Sequence, residues 1–150
     1  MSRGILIASC AALLFTAGAV RADDLVWWTD FEKAREVARA ERKMILVDFT
    51  GSDWCGWCMK LVDEVFCQPE FADYAARHLV LLEVDFPKRK AQSKEQKEAN
   101  RALRQRFAVK GYPTVLLLDD RGEVVLRTGY EPGGAPAFVK RLEAARRSRR

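Results

Sequence analysis

The chain has 150 residues, of which 49% are hydrophobic and 31% charged, and its formal net charge at pH 7 is +5. This length is sufficient for one domain with its own core and is too short for two. The composition is that of an ordinary soluble globular protein, which excludes a disordered chain.

The first 22 residues differ from the rest and have the pattern of a secretory signal peptide. Arg3 precedes an apolar run over residues 5–20, and small residues then lead to Ala22, the expected cleavage position. The alternative is an uncleaved membrane anchor, but the run is shorter than the roughly 20 residues that span a bilayer. We therefore predict a signal peptide over residues 1–22, one domain over residues 23–150, and a periplasmic or secreted location.

The positive charge of the mature chain is concentrated at its C-terminus. Four arginines lie within residues 146–150, and without them the domain is about neutral. The composition therefore gives no indication of nucleic-acid binding. We expect residues 144–150 to form a disordered, solvated tail.

Amphipathic helices and short apolar strands alternate along the mature chain. Thr29 and Asp30 are placed to cap a helix, Ser93 and Gln96 have capping-box spacing, and residues 44–49 are typical of a strand buried on both faces. Further helices are predicted from Cys55 to about Val65, after Pro69, over 88–107 and after Pro136, and further strands over 79–84, 115–118 and 124–127. The order αβαβαββα predicts an α/β fold with a central mixed sheet flanked by helices.

Two cysteines, Cys55 and Cys58, are separated by two residues directly after the first predicted strand. This spacing occurs in redox dithiols, zinc sites, haem attachment sites and structural disulfides. A haem attachment site requires histidine after the second cysteine, where this chain has Met59. A zinc site requires four ligands, commonly as two pairs, and the mature chain adds only Cys67 and His78. A structural disulfide would close a loop too short to constrain the unfolded chain much, so redox chemistry is favoured.

A helix that begins at Cys55 brings free backbone N–H groups and the positive end of its dipole to the cysteine sulfur. Both favour the thiolate, which is the form that attacks a disulfide. Cys58 lies one turn later on the same side. We therefore expect Cys55 to be the nucleophile and Cys58 to resolve the mixed disulfide. The dithiol is itself the redox group, so neither a cofactor nor a metal is expected.

Together with later segments, these residues resemble the thioredoxin superfamily from about Leu25 to Leu142. The resemblance rests on the segments ILVDF (45–49), DWCGWCMK (53–60), VDF (84–86) and VKGYPTVLLLDDRGEVV (109–125). It implies a thioredoxin fold, with an N-terminal helical extension and a charged helical insert, and thiol:disulfide oxidoreductase activity. More narrowly, the segments WWTDFEKA and TGSDWCGWC are similar to secreted bacterial thioredoxin-like proteins.

The resemblance also implies roles for residues outside the pair. The family holds a cis proline beside the cysteines, here Pro113, and the backbone before it pairs with an extended substrate segment. The expected substrate-binding residues are Trp54, Gly56, Trp57, Tyr112 and Pro113. Trp57 stands where thioredoxins commonly have proline, and a shifted redox potential is expected. For Trp54 the alternative is a purely structural role under the loop.

Asp48 matches the buried acid of thioredoxins, which helps to move the proton of the second cysteine. Here one extra residue separates it from the pair, and the alternative is a carboxylate satisfied by loop hydrogen bonds. The lysine that often accompanies this acid aligns with Leu81. Asp48 is therefore expected to lack a cation, and burial is expected to raise its pKa.

The expected partners are protein thiols and disulfides and a membrane or periplasmic redox protein that recharges the pair, with the protein itself a monomer. A different interpretation is a non-catalytic thioredoxin-fold binding module or a copper-handling protein, because soft thiolates suit Cu(I). Cys67 is interpreted either as an accessory thiol with a lowered pKa or as a half-buried small apolar residue. The motif leaves open whether the protein is an oxidant, a reductant or an isomerase.

Overall fold

The computed structural model describes residues 20–149 and is built around a five-stranded sheet with the strand order β1-β3-β2-β4-β5. The strands are β1 (Trp27–Trp28), β2 (Met44–Thr50), β3 (Leu79–Asp85), β4 (Thr114–Leu118) and β5 (Val124–Thr128). β1, β3 and β2 are parallel, whereas β4 and β5 are antiparallel to their neighbours. The predicted mixed sheet is therefore confirmed, with β1 as an additional short strand. The predicted signal peptide lies outside the described residues, except for positions 20–22.

Within residues 20–149, five α-helices flank this sheet. They are α1 (Phe31–Glu41), α2 (Gly56–Leu61), α3 (Pro69–His78), α4 (Lys94–Arg106) and α5 (Gly134–Ser148). α2 continues directly into a π-helical turn (Val62–Phe66), and a short 3-10 turn (Ala22–Asp24) precedes β1. In the part of the chain that the structure describes, no helix is long and apolar enough to cross a membrane.

β2 is buried over nearly its whole length because its alternating side chains face two cores. Ile45, Val47 and Phe49 pack with α1 on one face. Leu46 packs with α3, α5 and the end of α2 on the other face. Asp48 lies two residues after Leu46 and therefore faces the same side of the sheet, which is the side that α2 covers.

The helix starts follow from side-chain caps. Asp30 Oδ1 accepts hydrogen bonds from the N–H groups two and three residues later, at 3.0 and 3.2 Å, and thereby starts α1. Ser93 Oγ accepts from the N–H of Gln96 at 3.1 Å at the start of α4. The amide of Gln96 donates to the carbonyl of Thr29 at 3.1 Å, so the capping box expected there is only half formed.

The charged helix begins at Lys94, six residues later than the sequence pattern indicates. The carboxylate of Asp53 accepts hydrogen bonds from the backbone N–H groups of Lys88, Arg89 and Lys90 at 2.9, 2.7 and 2.9 Å. Three consecutive N–H groups that converge on one carboxylate hold this segment as a loop. The helical interpretation of its first residues is therefore wrong.

The expectation of a disordered C-terminal tail is also wrong for residues 144–149. α5 continues to Ser148, and Arg146 and Arg147 bind Glu143 at 2.8 and 2.6 Å. Beyond the helix, Arg149 Nε donates to the buried carboxylate of Asp119 at 3.1 Å. Arg146, Arg147 and Arg149 are held in place because α5 itself and the residue that follows β4 supply carboxylates for them.

Candidate active site

The cysteine pair lies where β2 ends and α2 begins. Cys55 is the N-cap residue of α2, and it forms a disulfide with Cys58, with the two Cα atoms 5.2 Å apart. The backbone N–H of Cys58 donates to Cys55 Sγ at 3.2 Å. The same N–H and the positive end of the helix dipole favour a thiolate at Cys55 once the disulfide is reduced.

The two cysteines differ in how far another molecule can approach them. Both residues are buried, but Cys55 is 7% exposed and Cys58 only 2% exposed, so Cys55 lies nearer to the surface. Gly56 between them is exposed, and a Cβ built at this position would meet no atom within 4 Å. The surface beside Cys55 is therefore open to a partner.

Trp54 anchors the loop that leads into the pair. Its ring lies over Gly51, where an added Cβ would overlap the indole, so this turn requires glycine. The indole Nε1–H donates to the carbonyl of Phe86 at 2.8 Å, and the ring contacts that of Tyr112 edge-on at 5.9 Å between centroids. Trp54 is half-buried, so it both supports the loop and contributes to the surface next to Cys55.

The loop that precedes β4 contributes Tyr112 and Pro113, which are joined by a cis peptide bond. The Tyr112 ring contacts Trp54 and also Phe86, at 5.3 Å between centroids. A Cβ at Gly129 would lie 2.8 Å from the carbonyl oxygen of Pro113, so glycine is required behind this turn. The sequence offered only the Gly-Tyr-Pro-Thr segment as a signal, and Gly129 was not identified.

On the other side of the pair, Trp57 is 59% exposed and stacks on Tyr130, with ring centroids 5.1 Å apart. The ammonium of Lys60 lies 5.4 and 5.3 Å from these two ring centroids. Tyr130 OH donates to a carboxylate oxygen of Glu64 at 2.8 Å. Sequence reasoning did not find Tyr130, because only the fold brings the end of β5 to α2.

Asp48 and Cys58 line the same cavity, which has a volume of about 400 Å³. The extra residue between Asp48 and the pair therefore does not separate them. Asp48 is 4% exposed, and within residues 20–149 its Oδ1 has no hydrogen-bond partner. The alternative of a carboxylate satisfied by loop hydrogen bonds is thus contradicted for this oxygen. The β3 residue in register with Asp48 is Glu83 rather than Leu81.

This environment makes Asp48 an unusual acid. Burial, followed by the nearby negative charges of Glu83 and Asp85, raises its pKa from 3.8 to about 8. Burial, followed by Asp85, also raises the pKa of Glu83. The predicted direction for Asp48 agrees with the structure, and its register partner on β3, Glu83, is itself an acid.

Cys67 lies at the end of the π-helical turn, at the opposite end of this helical segment from the pair. Its side chain is exposed, which contradicts the interpretation as a half-buried apolar residue. Partial desolvation and the charges of Asp63 and Asp23 raise its pKa, so the predicted lowered pKa is also wrong. Cys67 therefore lacks the electropositive surroundings of a reactive thiol.

The residues that the sequence offered as metal ligands are Cys55, Cys58, Cys67 and His78. The first two are joined as a disulfide, and Cys67 is remote from them along the helical segment. Over positions 20–149, no group of three or more His, Cys, Asp or Glu side chains is arranged to hold a metal ion.

Comparison with known proteins identifies relatives of this chain. Residues 31–146 match the family model of the thioredoxin-like domain. The chain is 38% identical over 118 residues to disulfide bond reductase DsbH of Chlamydia pneumoniae. The aligned segment covers 79% of this chain and 71% of that protein. It is 33% identical over 107 residues to thioredoxin-related protein DsbJ of the same organism. The aligned segment covers 71% of this chain and 31% of DsbJ.

Among solved structures, a DsbH oxidoreductase superposes with a TM-score of 0.78 and 33% sequence identity, covering 95% of this chain and 94% of that one. The Cys55–Cys58 disulfide at the start of α2 is the redox group of a thiol:disulfide oxidoreductase. By family match, fold and redox pair, this chain belongs to the thioredoxin-like domain family.

Proposed function

We propose that this protein reduces disulfide bonds of protein substrates outside the cytoplasm, with Cys55 as the attacking thiolate and Cys58 as the resolving thiol. The observation that carries the proposal is the position of the pair, in which Cys55, the less buried cysteine, caps α2 and the more deeply buried Cys58 donates its N–H to the Cys55 sulfur. The similarity to DsbH, a protein named as a disulfide bond reductase, supports this direction. An extracytoplasmic location agrees with the signal-peptide pattern of residues 1–22.

In the first step the Cys55 thiolate attacks one sulfur of the substrate disulfide. A Cys55–substrate bond forms as the substrate S–S bond breaks, and the departing substrate thiolate takes a proton from solvent. In the second step Cys58 loses its proton and attacks Cys55 Sγ, which releases the other substrate thiolate. Two electrons have then passed from the pair to the substrate, and the protein holds the Cys55–Cys58 disulfide.

Asp48 is proposed to accept the proton of Cys58 in the second step. Cys58 is buried, so its thiol needs a nearby base to become a nucleophile. Asp48 lines the same cavity, and a carboxyl with a pKa of about 8 is present in both protonation states near neutral pH. Such a group matches the operating pH of a general acid or base.

The substrate is proposed to bind across the surface formed by Trp54, Gly56, Trp57, Tyr112 and Pro113. The two tryptophans flank the pair, and large aromatic side chains are typical anchors of protein-binding surfaces. An extended substrate segment beside the cis bond would pair with the backbone of Tyr112, as in other cases of strand addition.

The proposed reaction needs no bound cofactor or metal, because the two cysteines carry both electrons. It does require a dithiol donor that reduces the Cys55–Cys58 disulfide after each turnover. We propose a periplasmic or membrane redox protein as this donor, and a monomeric protein as the active form.

The first test uses insulin as the disulfide substrate and dithiothreitol as the donor. Wild-type protein should accelerate insulin reduction, and a Cys55→Ser variant should not. A Cys58→Ser variant should accumulate a mixed disulfide through Cys55 that mass spectrometry detects. A Cys55→Ser variant that is as active as wild type would refute the assignment of the nucleophile.

The direction is tested by the reduction potential of the pair, measured by equilibration with dithiothreitol or glutathione buffers. A reductant should have a potential close to that of thioredoxin, about −270 mV. A value close to the roughly −120 mV of a strong disulfide oxidant would contradict the proposed direction.

A further inference from the structure

Three consecutive cationic residues, Lys88, Arg89 and Lys90, follow β3 and are exposed to solvent. We call this segment the basic loop. Asp53 holds its backbone, accepting one hydrogen bond from each of the three N–H groups at 2.7–2.9 Å. The Asp53 carboxylate therefore binds the backbone N–H groups of the loop and not its side chains. Within residues 20–149, none of the three cationic side chains forms an ion pair. Their positive charges remain available to another molecule.

The basic loop is attached directly to the loop that carries the redox pair. Asp53 and Trp54 immediately precede Cys55 in the chain. The ammonium of Lys88 lies 4.0 Å from the centre of the Trp54 ring, and that of Lys90 donates to Ser52 Oγ at 3.2 Å. The Lys88 and Lys90 cations therefore lie next to the aromatic surface that borders Cys55.

Other aromatic residues around the pair also have a cation over the ring. The Arg104 guanidinium lies 5.7 Å from the ring centre of Tyr112, and the Lys60 ammonium lies 5.4 Å from that of Trp57. Of the nearby carboxylates, Asp48 and Glu83 line the cavity shared with Cys58 and are not exposed, and Asp85 accepts a hydrogen bond from the N–H of Ser52 at 2.9 Å. Asp53 sets one negative charge against the three cations of the basic loop. The surface beside Trp54 and Tyr112 is thus positive in a domain that is close to neutral without its C-terminal arginines.

We propose that the basic loop selects substrates, binding an acidic polypeptide segment that flanks the disulfide to be reduced. This inference rests on the proposed function and specifies its substrate class. A substrate chain that extends past Trp54 brings its flanking carboxylates within reach of the three cations. Exposed charges of this kind act mainly on the rate of association, and salt screens their effect.

The test compares two disulfide peptides with the same core sequence. In one peptide the positions flanking the cysteines carry Asp and Glu, and in the other they carry Asn and Gln. Reduced wild-type protein should react with the acidic peptide about tenfold faster at low ionic strength, a size typical of electrostatic steering. The ratio should approach one in 1 M NaCl, where the Debye length is about 3 Å.

The variant Lys88→Gln/Arg89→Gln/Lys90→Gln should lose this preference and should retain the wild-type rate with the neutral peptide. A matched control is Lys33→Gln/Lys97→Gln/Lys140→Gln, which changes the net charge equally at exposed positions of three helices. The control should keep the tenfold ratio. Equal, measurable rates of wild type with both peptides, or a preference that persists in the basic-loop variant, would overturn the proposal.

A binding measurement separates this proposal from the proposed function. Cys55→Ser/Cys58→Ser protein cannot exchange disulfides, so fluorescence anisotropy reports its affinity for the two peptides alone. Tighter binding of the acidic peptide at low salt, lost in the basic-loop variant, supports the surface even if wild type reduces neither peptide. In that case only the proposed reductase function fails. Equal affinities for both peptides would overturn the basic loop as a selecting surface.

Discussion

Replacing Asp48 by Asn should stabilise the oxidised protein, and the gain should grow with pH. The folded protein raises the pKa of this carboxyl from 3.8 to about 8. Between these values the unfolded chain loses the proton and the folded chain keeps it, so folding stability falls as pH rises. The folding stability that the shifted pKa of Asp48 contributes is fully present below pH 3.8 and is lost by about pH 8, as the buried carboxyl ionises. Asn has nearly the same shape and does not ionise.

The magnitude follows from proton linkage. One proton bound only by the folded state costs roughly 1.4 kcal/mol of stability for each pH unit. Between pH 5 and pH 7, the free energy of unfolding of Asp48→Asn should therefore gain about 3 kcal/mol relative to wild type. Relaxation of the cavity and entry of water reduce this value, so it is an upper limit.

The assay is urea unfolding of both oxidised proteins at several pH values from 5 to 8. Asp53→Asn serves as the control, because backbone N–H groups, Lys88 first, lower the pKa of Asp53 to about 2. Asp53 is ionised in both states above pH 5, so its variant should differ from wild type by a constant amount. A stability difference for Asp48→Asn that does not change between pH 5 and 7 would refute the assignment of a raised pKa.

Three further substitutions test the surroundings of the pair. Gly129→Ala should destabilise the protein by about 1–3 kcal/mol in urea unfolding, because its Cβ would lie 2.8 Å from the Pro113 carbonyl oxygen. Trp54→Phe should cost about 1–3 kcal/mol in the same assay, since the carbonyl of Phe86 loses its indole donor; an unchanged midpoint would contradict this role. Cys67→Ser should leave the rate of insulin reduction unchanged, and a loss of more than half would indicate a role in exchange.

Much of the fold could be predicted from the sequence, because its signals are local. The apolar run before the cysteines predicted β2, and Asp30 predicted the start of α1. β1 could not be predicted, since two residues show no alternation and its pairing with β3 depends on a distant partner. The loop before α4 likewise depends on a distant partner, because Asp53, which holds it, is 35 residues before Lys88.

The site residues that belong to one contiguous motif could be predicted from the sequence. Those that the fold brings together from distant segments could not. Cys55 and Cys58 could be identified by spacing and position alone. The acidic neighbour of Asp48 could not, because only the register of β2 with β3 places Glu83 opposite Asp48. Tyr130 was missed for the same reason, since its partner Trp57 is far away in the chain.

The sheet order leaves β1 and β5 as the edge strands. β1 offers only two residues, and the pairing of β5 with β4 is irregular between Leu117 and Leu118. Arg127 on β5 is exposed and adds charge to this edge. Short, bulged and charged edges are poor templates for strand addition by another chain. Such edges protect against aggregation, a hazard for any protein that meets partly unfolded polypeptides.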